Sequence, residues 1–431
     1  MKGVLKKISG RFRGRKSSDG FLKSVLTLMT GTVVAQAIPI AVTPILTRLY
    51  SPSDFGLFAI YVSLVMVIGS IASGRYELAV MLPEEDNDAL NVAALGLVVA
   101  AVVSVLLLLA VLVWGAEFSR LLGNSEIRVW LYLLPVSVFL VGVGNVLTYY
   151  NSRLKLYKDV AAASVLKSVV LASIQLCTGW FKSGPAGLFL GQLVSGAVAN
   201  GKLVNNIRIR SNLSQVLCVK KMKAMGKKYA DFPKYSAPAV LANSLSQNLI
   251  NVLISSVFGV ATLGYYSLVQ RVLGMPMSII GNSFGQVYFQ AATVERKKTG
   301  FAVASFNKTL LQLVLVSIAL FVPLYFVIED LFGFFFGSQW RVAGEYAQYL
   351  IPFFAIRFVF SPLSISCSAF ERQRLALALQ VGLLVVSVLI FIYATYVGYG
   401  FNAFLTAFSI GLSIYYLFFL AIVGMIVRKI I

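Results

Sequence analysis

ALNVAALGLVVAAVVSVLLLLAVLVW, Ala89 to Trp114, is an uninterrupted run of 26 residues without a charge. About 20 apolar residues suffice to cross a bilayer as a helix, and this run exceeds that length. Similar runs recur along the whole chain. With 58% apolar residues, 12% charged residues and a mean hydropathy of +0.84, the 431 residues cannot be hidden in one soluble core. Backbone groups in hydrocarbon must be satisfied within their own segment. Because Leu/Val/Ile/Ala runs lack the polar alternation of a porin strand, the spans are read as helices and the protein as an all-α membrane protein.

About twelve transmembrane helices are expected: Phe21 to Leu46, Phe55 to Leu82, Ala89 to Trp114, Val129 to Tyr150, Val160 to Phe181, Ala186 to Gly201, Ser236 to Phe258, Leu263 to Ala291, Phe301 to Ile328, Tyr346 to Phe370, Leu375 to Val397 and Phe401 to Val427. The first follows a polar tail and has no small-residue cleavage site behind a short apolar core, so it is read as a retained helix. With the N-terminus placed in the cytoplasm, 27 of the 37 Lys and Arg fall on inner segments and only five on outer loops. This positive-inside bias puts both termini in the cytoplasm. The acidic inner loop Pro83 to Asp88 weighs little in that rule.

The formal charge of +21 is dispersed over membrane-proximal loops and needs no nucleic acid to explain it. In the tail, Val4, Ile8 and Phe12 recur at helical spacing among Lys6, Lys7, Arg11, Arg13, Arg15 and Lys16. It is either a segment that lies on the anionic inner leaflet or simply a topology anchor. Histidine is absent, which removes histidine metal sites, nucleophile pairs and proton relays. Cys177, Cys218 and Cys367 share no ligand spacing and are read as structural. There is no Walker sequence and no cytoplasmic segment large enough for a nucleotide-binding domain, so no cofactor and no direct ATP drive are expected.

An internal repeat is visible. Leu46 to Ile60 lies over Ile254 to Leu268 without a gap, with Gly56 on Gly264, Tyr50 on Phe258 and Phe58 on Tyr266. The match opens each set of six spans. The expected organisation is a basic cytoplasmic tail (residues 1–20), an N-lobe of six spans (21–205), a basic cytoplasmic linker (206–235) and a C-lobe of six spans (236–431). Six is even, so the lobes keep one orientation and are related by a pseudo-two-fold along the membrane normal.

The stretch PILTRLYSPSDFGLFA, Pro44 to Ala59, followed by GRYELAVMLP, Gly74 to Pro83, resembles the opening of bacterial polysaccharide flippases. These are the O-antigen-type branch of the multidrug, oligosaccharidyl-lipid and polysaccharide exporter superfamily. The signature is concentrated in the first 90 residues; beyond them the likeness rests on span number and charge placement. The resemblance implies two six-helix lobes around a V-shaped cavity. It also implies alternating access that carries an undecaprenyl-pyrophosphate-linked oligosaccharide to the outer leaflet of the inner membrane. Glycan polymerase and chain-length proteins are the partners it suggests.

Charges within spans cost several kcal/mol unless they face a bundle interior or a wet cavity. Arg357 lies roughly 16 Å into its span and Arg271 roughly 13 Å, and almost no acids are available at that depth. Both are candidate substrate-binding residues. Lys167 has two readings, a cavity cation or a side chain snorkelling to the headgroups. Arg75 and Glu77 are two residues apart, about 200° on a continuous helix, so direct pairing is not expected. Arg75 is a further candidate for substrate. Glu77, the only acid within a span, is the candidate for coupling to protons or sodium, or else an interfacial carboxylate. Asn243, Gln247 and Asn251 recur every four residues, with Asn248 beside them and Gln270 preceding Arg271. Such amides suit sugar hydroxyls, phosphate oxygens or interhelical contacts. Pro39, Pro44, Pro276, Pro352 and Pro362 offer kink points.

Deep cations with amides match an anionic lipid-linked saccharide. Two other classes are weighed. A cation- or proton-coupled multidrug antiporter needs buried carboxylates, and Glu77 alone is poor support. A membrane-embedded glycan polymerase or glycosyltransferase would be expected to carry an acidic or Arg-rich outer loop, whereas the longest here, Glu329 to Glu345, is short and rich in Phe and Gly. The chain is therefore not expected to be an enzyme.

Overall fold

The computed structural model describes residues 30–182, 184–210, 217–370 and 372–428. The basic tail (residues 1–20), the first residues of the expected first span and residues 211–216 of the linker lie outside them. The helices, in chain order, are α1 Thr30–Leu49, α2 Pro52–Gly69, α3 Tyr76–Ala79, α4 Asp86–Leu121, α5 Ile127–Leu131, α6 Leu134–Arg153, α7 Tyr157–Trp180, α8 Ala186–Arg210 and α9 Val219–Lys228. They continue with α10 Ala237–Phe258, α11 Val260–Pro276, α12 Asn282–Thr299, α13 Val303–Phe336, α14 Arg341–Leu363, α15 Ser366–Ala369, α16 Gln373–Val397 and α17 Phe401–Val427. Among the described residues there is no strand, and the protein is an all-α membrane protein.

Nine helical segments among the described residues are long and apolar enough to cross a membrane, counting α5 with α6 and α14 with its flanking turns. The sixth, seventh and eighth expected spans are also helical, as α8, α10 and the pair α11 and α12. The seventh falls outside the nine because α10 carries the amide stripe, and the eighth because Pro276 ends α11, where a π-helical turn, Met277–Gly281, leads into α12.

Two spans depart from expectation. The second is not continuous: α2 stops at Gly69, and residues 70–75 form turns in which Gly74 and Arg75 are left-handed (φ 61° and 63°) before the short α3. The segment Glu329 to Glu345 is mostly not a loop. Its Phe-rich sequence extends α13 to Phe336, α14 begins at Arg341, and Arg341 bridges Glu329 (2.8 Å) and Asp330 (3.1 Å) on the facing helix end.

The chain forms two compact units. Unit 1 comprises Met1–Val42, Ile68–Val113 and Leu131–Val240; unit 2 comprises Thr43–Val67, Trp114–Trp130 and Leu241–Ile431. In unit 1, Tyr76, Val80, Leu90, Val146, Leu147, Tyr150 and Leu203 build an apolar core. Buried Asn151 ties the bundle together: its amide donates to the carbonyls of Leu147 (2.8 Å) and Leu203 (3.3 Å) and accepts from Asn206 (3.1 Å). The acidic loop is gathered by cations. Arg153 donates to the carbonyls of Pro83 (2.7 Å), Glu84 (3.2 Å) and Val80 (3.3 Å) and pairs with Asp86 (3.0 Å), while Lys221 on α9 reaches Asp88 (3.3 Å).

In unit 2, α13, α14 and α17 form a densely packed wall, with Phe353, Phe360, Tyr416 and Phe419 in ring contact. At the start of α13, Glu295 accepts from the Ala304 N–H (3.0 Å) and from the Ser305 N–H (2.8 Å) and hydroxyl. Burial alone would raise its carboxyl, but these hydrogen bonds to the ionised form outweigh it and hold it below its ordinary value.

Unit 2 also contains the repeat-related junctions, and they contact each other reciprocally. The repeat register is an offset of 208 residues, so Pro52 corresponds to Val260 and Gly56 to Gly264. A Cβ on Gly56 would run into the carbonyl oxygen of Val260; one on Gly264 would run into that of Pro52. Each half's glycine thus admits the backbone of the other half's helix start, the close approach that small residues permit in membranes. Two hydrogen bonds obey the same exchange. Asn251 donates to Ser63 (2.9 Å) and Arg271 donates to Thr43 (3.3 Å), with Thr43 corresponding to Asn251 and Ser63 to Arg271. Further along, the fully buried Trp340 donates its indole N–H to the Thr47 carbonyl (2.7 Å), and Ser255, the counterpart of Thr47, donates to the carbonyl of Leu122 (3.2 Å).

Replacing Gly264 by Ala overpacks this crossing and is expected to cost about 1–3 kcal/mol. Thermal unfolding of the purified protein should show a lowered midpoint, whereas Gly400→Ala, which meets nothing within 4 Å, should leave it in place. Equal midpoints for the two variants would contradict the close approach.

Candidate functional site

The candidate residues fall into four places. Arg357 sits on α14, 16 residues after its start, roughly 24 Å along the helix. With Asn243 and Gln247 of α10 it lines a polar cavity of about 500 Å³. Gln286, Gln380, Ser361, Ser364, Ser368 and Tyr416 complete the polar wall. The rings of Phe353 and Phe354, one helical turn away, lie 5.8 and 6.0 Å from the guanidinium carbon. Among the described residues Arg357 has no ion pair and no hydrogen bond. Among the described residues, the only fully buried, unpartnered side-chain polar atoms are Ser104 Oγ and Ser413 Oγ. The Arg357 nitrogens, which have no partner, are therefore not sealed by protein. A guanidinium with free N–H groups, lining a cavity with amides and hydroxyls, is a donor-rich arrangement suited to an anion.

Arg271 lines a second, smaller cavity of about 190 Å³ with Ser63, Asn248, Asn251, Gln270 and Phe55. One of its five N–H donors is used by Thr43 (3.3 Å), and its guanidinium lies 5.9 Å from the Phe55 ring. Asn251 is committed to Ser63, and Gln270 donates to the Tyr266 hydroxyl (2.5 Å). The four-residue period of α10 is real, but it serves two sites: Asn243 and Gln247 face the Arg357 cavity, and Asn251 faces the Arg271 cavity.

Lys167 is in unit 1, in a polar cavity of about 200 Å³ lined by α6, α7 and α8. The structure therefore gives it the cavity position of its two sequence readings. Arg75 and Glu77 are also in unit 1, and here expectation is corrected. They pair directly (2.9 Å) because the chain between α2 and α3 is not helical and left-handed Arg75 turns its side chain back. Glu77 is 1% exposed and also accepts from the Ser73 hydroxyl; Arg75 reaches Ser236 through Nε (3.4 Å). Both members of this pair are engaged. Coupling of an ion through Glu77 would require the pair to open.

Sequence reasoning missed Gln286, Gln380 and the serines near Ser361. Gln380 did carry a signal, as the lone amide in the apolar run LALALQVGLLVV of α16. Among the described residues, no Asp or Glu lines any of these three cavities.

The fold, a set of helical bundles with donor-rich cavities, is placed by comparison with solved structures. The lipid II flippase MurJ in an inward closed conformation superposes with a TM-score of 0.71 at 13% identity, over 93% of this chain and 87% of that one. An inward-facing multidrug resistance transporter of the MATE family, in the MOP superfamily, gives 0.66 at 14% identity over 94% of each chain. A MOP superfamily transporter from Pyrococcus furiosus gives 0.62 at 15% identity over 94% and 96%. At such identities the likeness is one of fold. No curated protein matches the chain in sequence. Residues 45–345 match the polysaccharide biosynthesis protein family, and the chain belongs to that family.

Breaking a buried ion pair by removing one partner costs about 3–5 kcal/mol, far more than replacing both by apolar groups. Glu77→Met should therefore lower the unfolding midpoint of the purified protein, and Arg75→Met/Glu77→Met should recover most of the loss. A double variant as unstable as the sum of the singles would show that the pair is not coupled.

Proposed function

We propose that this protein is a flippase of the bacterial inner membrane that moves an undecaprenyl-pyrophosphate-linked oligosaccharide from the cytoplasmic to the outer leaflet. The observation that carries the reading is Arg357: a cation in a helical segment long and apolar enough to cross a membrane, with no acidic partner among the described residues, lining a cavity of about 500 Å³ with four amides. A diphosphate supplies the missing negative charge, with oxygens that accept charge-assisted hydrogen bonds. Asn243, Gln247, Gln286 and Gln380 supply donors and acceptors for sugar hydroxyls. Arg271, with Asn251 and Gln270, provides a second cationic station.

Alternating access supplies the motion. With both termini cytoplasmic, the junctions at Gly56 and Gly264 lie on the outer side, and their crossing is the closed outer gate. The exchange of contacts between residues 208 apart is what a pseudo-two-fold along the membrane normal requires. Outward opening then consists of parting the crossing and exchanging the Arg271–Thr43 and Asn251–Ser63 bonds for substrate and water. The polyprenyl tail stays in lipid throughout. Glycan polymerase and chain-length proteins are the expected partners on the outer side.

The multidrug antiporter reading fits less well, because no carboxylate among the described residues lines the cavities and Glu77 is closed by Arg75. The polymerase or glycosyltransferase reading loses its outer loop, since only residues 337–340 separate α13 from α14.

Arg357→Ala and Arg271→Ala should each reduce surface glycan export about tenfold or more, as expected for losing a hydrogen bond to a charged group. Protein level and membrane insertion should be unchanged. The measurement is surface glycan on cells whose chromosomal copy is deleted and complemented with each variant. Normal export by both variants would overturn the reading.

A further inference from the structure

The cavity of unit 1 has a composition that the glycan reading does not account for. It is a partly open cavity lined, among the described residues, by α6, α7 and α8, and its polar lining includes Lys167, Asn145, Gln192, Asn200 and Ser164, with no carboxylate among those residues. Asn200 is held in place, donating to the Leu140 carbonyl (2.8 Å), and Gly144 makes room for it, since a Cβ there would come 2.9 Å from the Asn200 amide oxygen. Ser164 donates to Val160. The other three polar groups are uncommitted: among the described residues Lys167, Asn145 and Gln192 have no hydrogen-bond or ion-pair partner. None of their polar atoms is a sealed, unpaired one, so all three face the open space of the cavity.

An ammonium among apolar helices is costly unless something balances it. Water alone would hydrate it but leave its charge uncompensated. The three free groups bring an ammonium and two amide NH2 groups to one small space, a donor set for a single negative charge. The volume of about 200 Å³ has room for a carboxylate or a halide with a few waters. We propose that this cavity is a binding site for a monovalent anion, with Lys167 as the charge partner and Asn145 and Gln192 as orienting donors. Two sources carry that chemistry: a free inorganic anion such as chloride, and the carboxylate of an acidic sugar. The site stands apart from the diphosphate reading, because its occupancy is measured without glycan export.

The test is equilibrium binding of radiolabelled chloride and, separately, of radiolabelled glucuronate to the purified full chain in detergent. One or both should bind saturably, and Lys167→Gln should weaken that binding at least tenfold, the worth of one charge-assisted hydrogen bond. Asn145→Ala and Gln192→Leu, which keep the cation, should weaken it by smaller factors and guard against a misfolded lysine variant. Lys202→Gln, at a half-buried lysine of α8 outside the cavity, should bind like the native chain. Chloride binding alone assigns the site to an inorganic anion; glucuronate binding alone assigns it to a sugar carboxylate. Absence of saturable binding for both anions, or native affinity in Lys167→Gln, overturns the proposal.

Discussion

A guanidinium in a membrane-length helical segment, with no carboxylate partner among the described residues, is the constraint on which the rest of unit 2 depends. Such a group is costly in hydrocarbon, and α10, α12, α14 and α16 bring amides and hydroxyls to the open volume that it lines. That arrangement accounts for the polar residues of α10 that face the cavity, whereas the short length of α11 follows from Pro276. The cost of the guanidinium also explains why the polar positions of four helices converge on one place while their other faces remain apolar. The aromatic wall of Phe353, Phe360, Tyr416 and Phe419 stiffens the α14–α17 side. The cavity therefore has one rigid flank and one built from interrupted helices.

The crossing of the repeat-related junctions is the second constraint. Two glycines at equivalent positions let two helix starts approach until each backbone meets the other, with the Gly56 nitrogen 3.1 Å from the place a Cβ on Gly264 would occupy. Around that point a hydrogen bond from α10 and one from α11 reach back to Ser63 and Thr43 in exchanged register. Arg271 belongs to both systems, lining a cavity and closing the crossing. Thr43 takes one of its five N–H donors, so a ligand on the remaining donors would meet the guanidinium at the crossing itself.

Much of this was legible in the residues. Span lengths follow from uncharged apolar runs, and Arg271, Arg357 and Lys167 stand out because nothing else at their depth is charged. The repeat register, seen only as a moderate match around Gly56 and Gly264, turned out to order the contacts. Other features were hidden for identifiable reasons. The Arg75–Glu77 pair depends on a helix break at residues 70–75, whereas reasoning from helical rotation presumes that no break exists. The convergence of Ser361, Gln286 and Gln380 is a tertiary fact spread over three helices, and periodicity within one helix is blind to it. Glu329 to Glu345 looked like a loop because it is bounded by acids, yet its aromatic content carries α13 four residues short of α14.

The account stands or falls on whether the Arg357 cavity is wet and electropositive. The direct measurement uses a chain in which Cys177, Cys218 and Cys367 are replaced by serine and Ser361 by cysteine, labelled in membranes by small anionic and cationic methanethiosulfonate reagents. The expected result is aqueous labelling, with the anionic reagent reacting faster than the cationic one and that preference vanishing when Arg357→Gln is added. No labelling by either reagent, or a cationic preference, would contradict it.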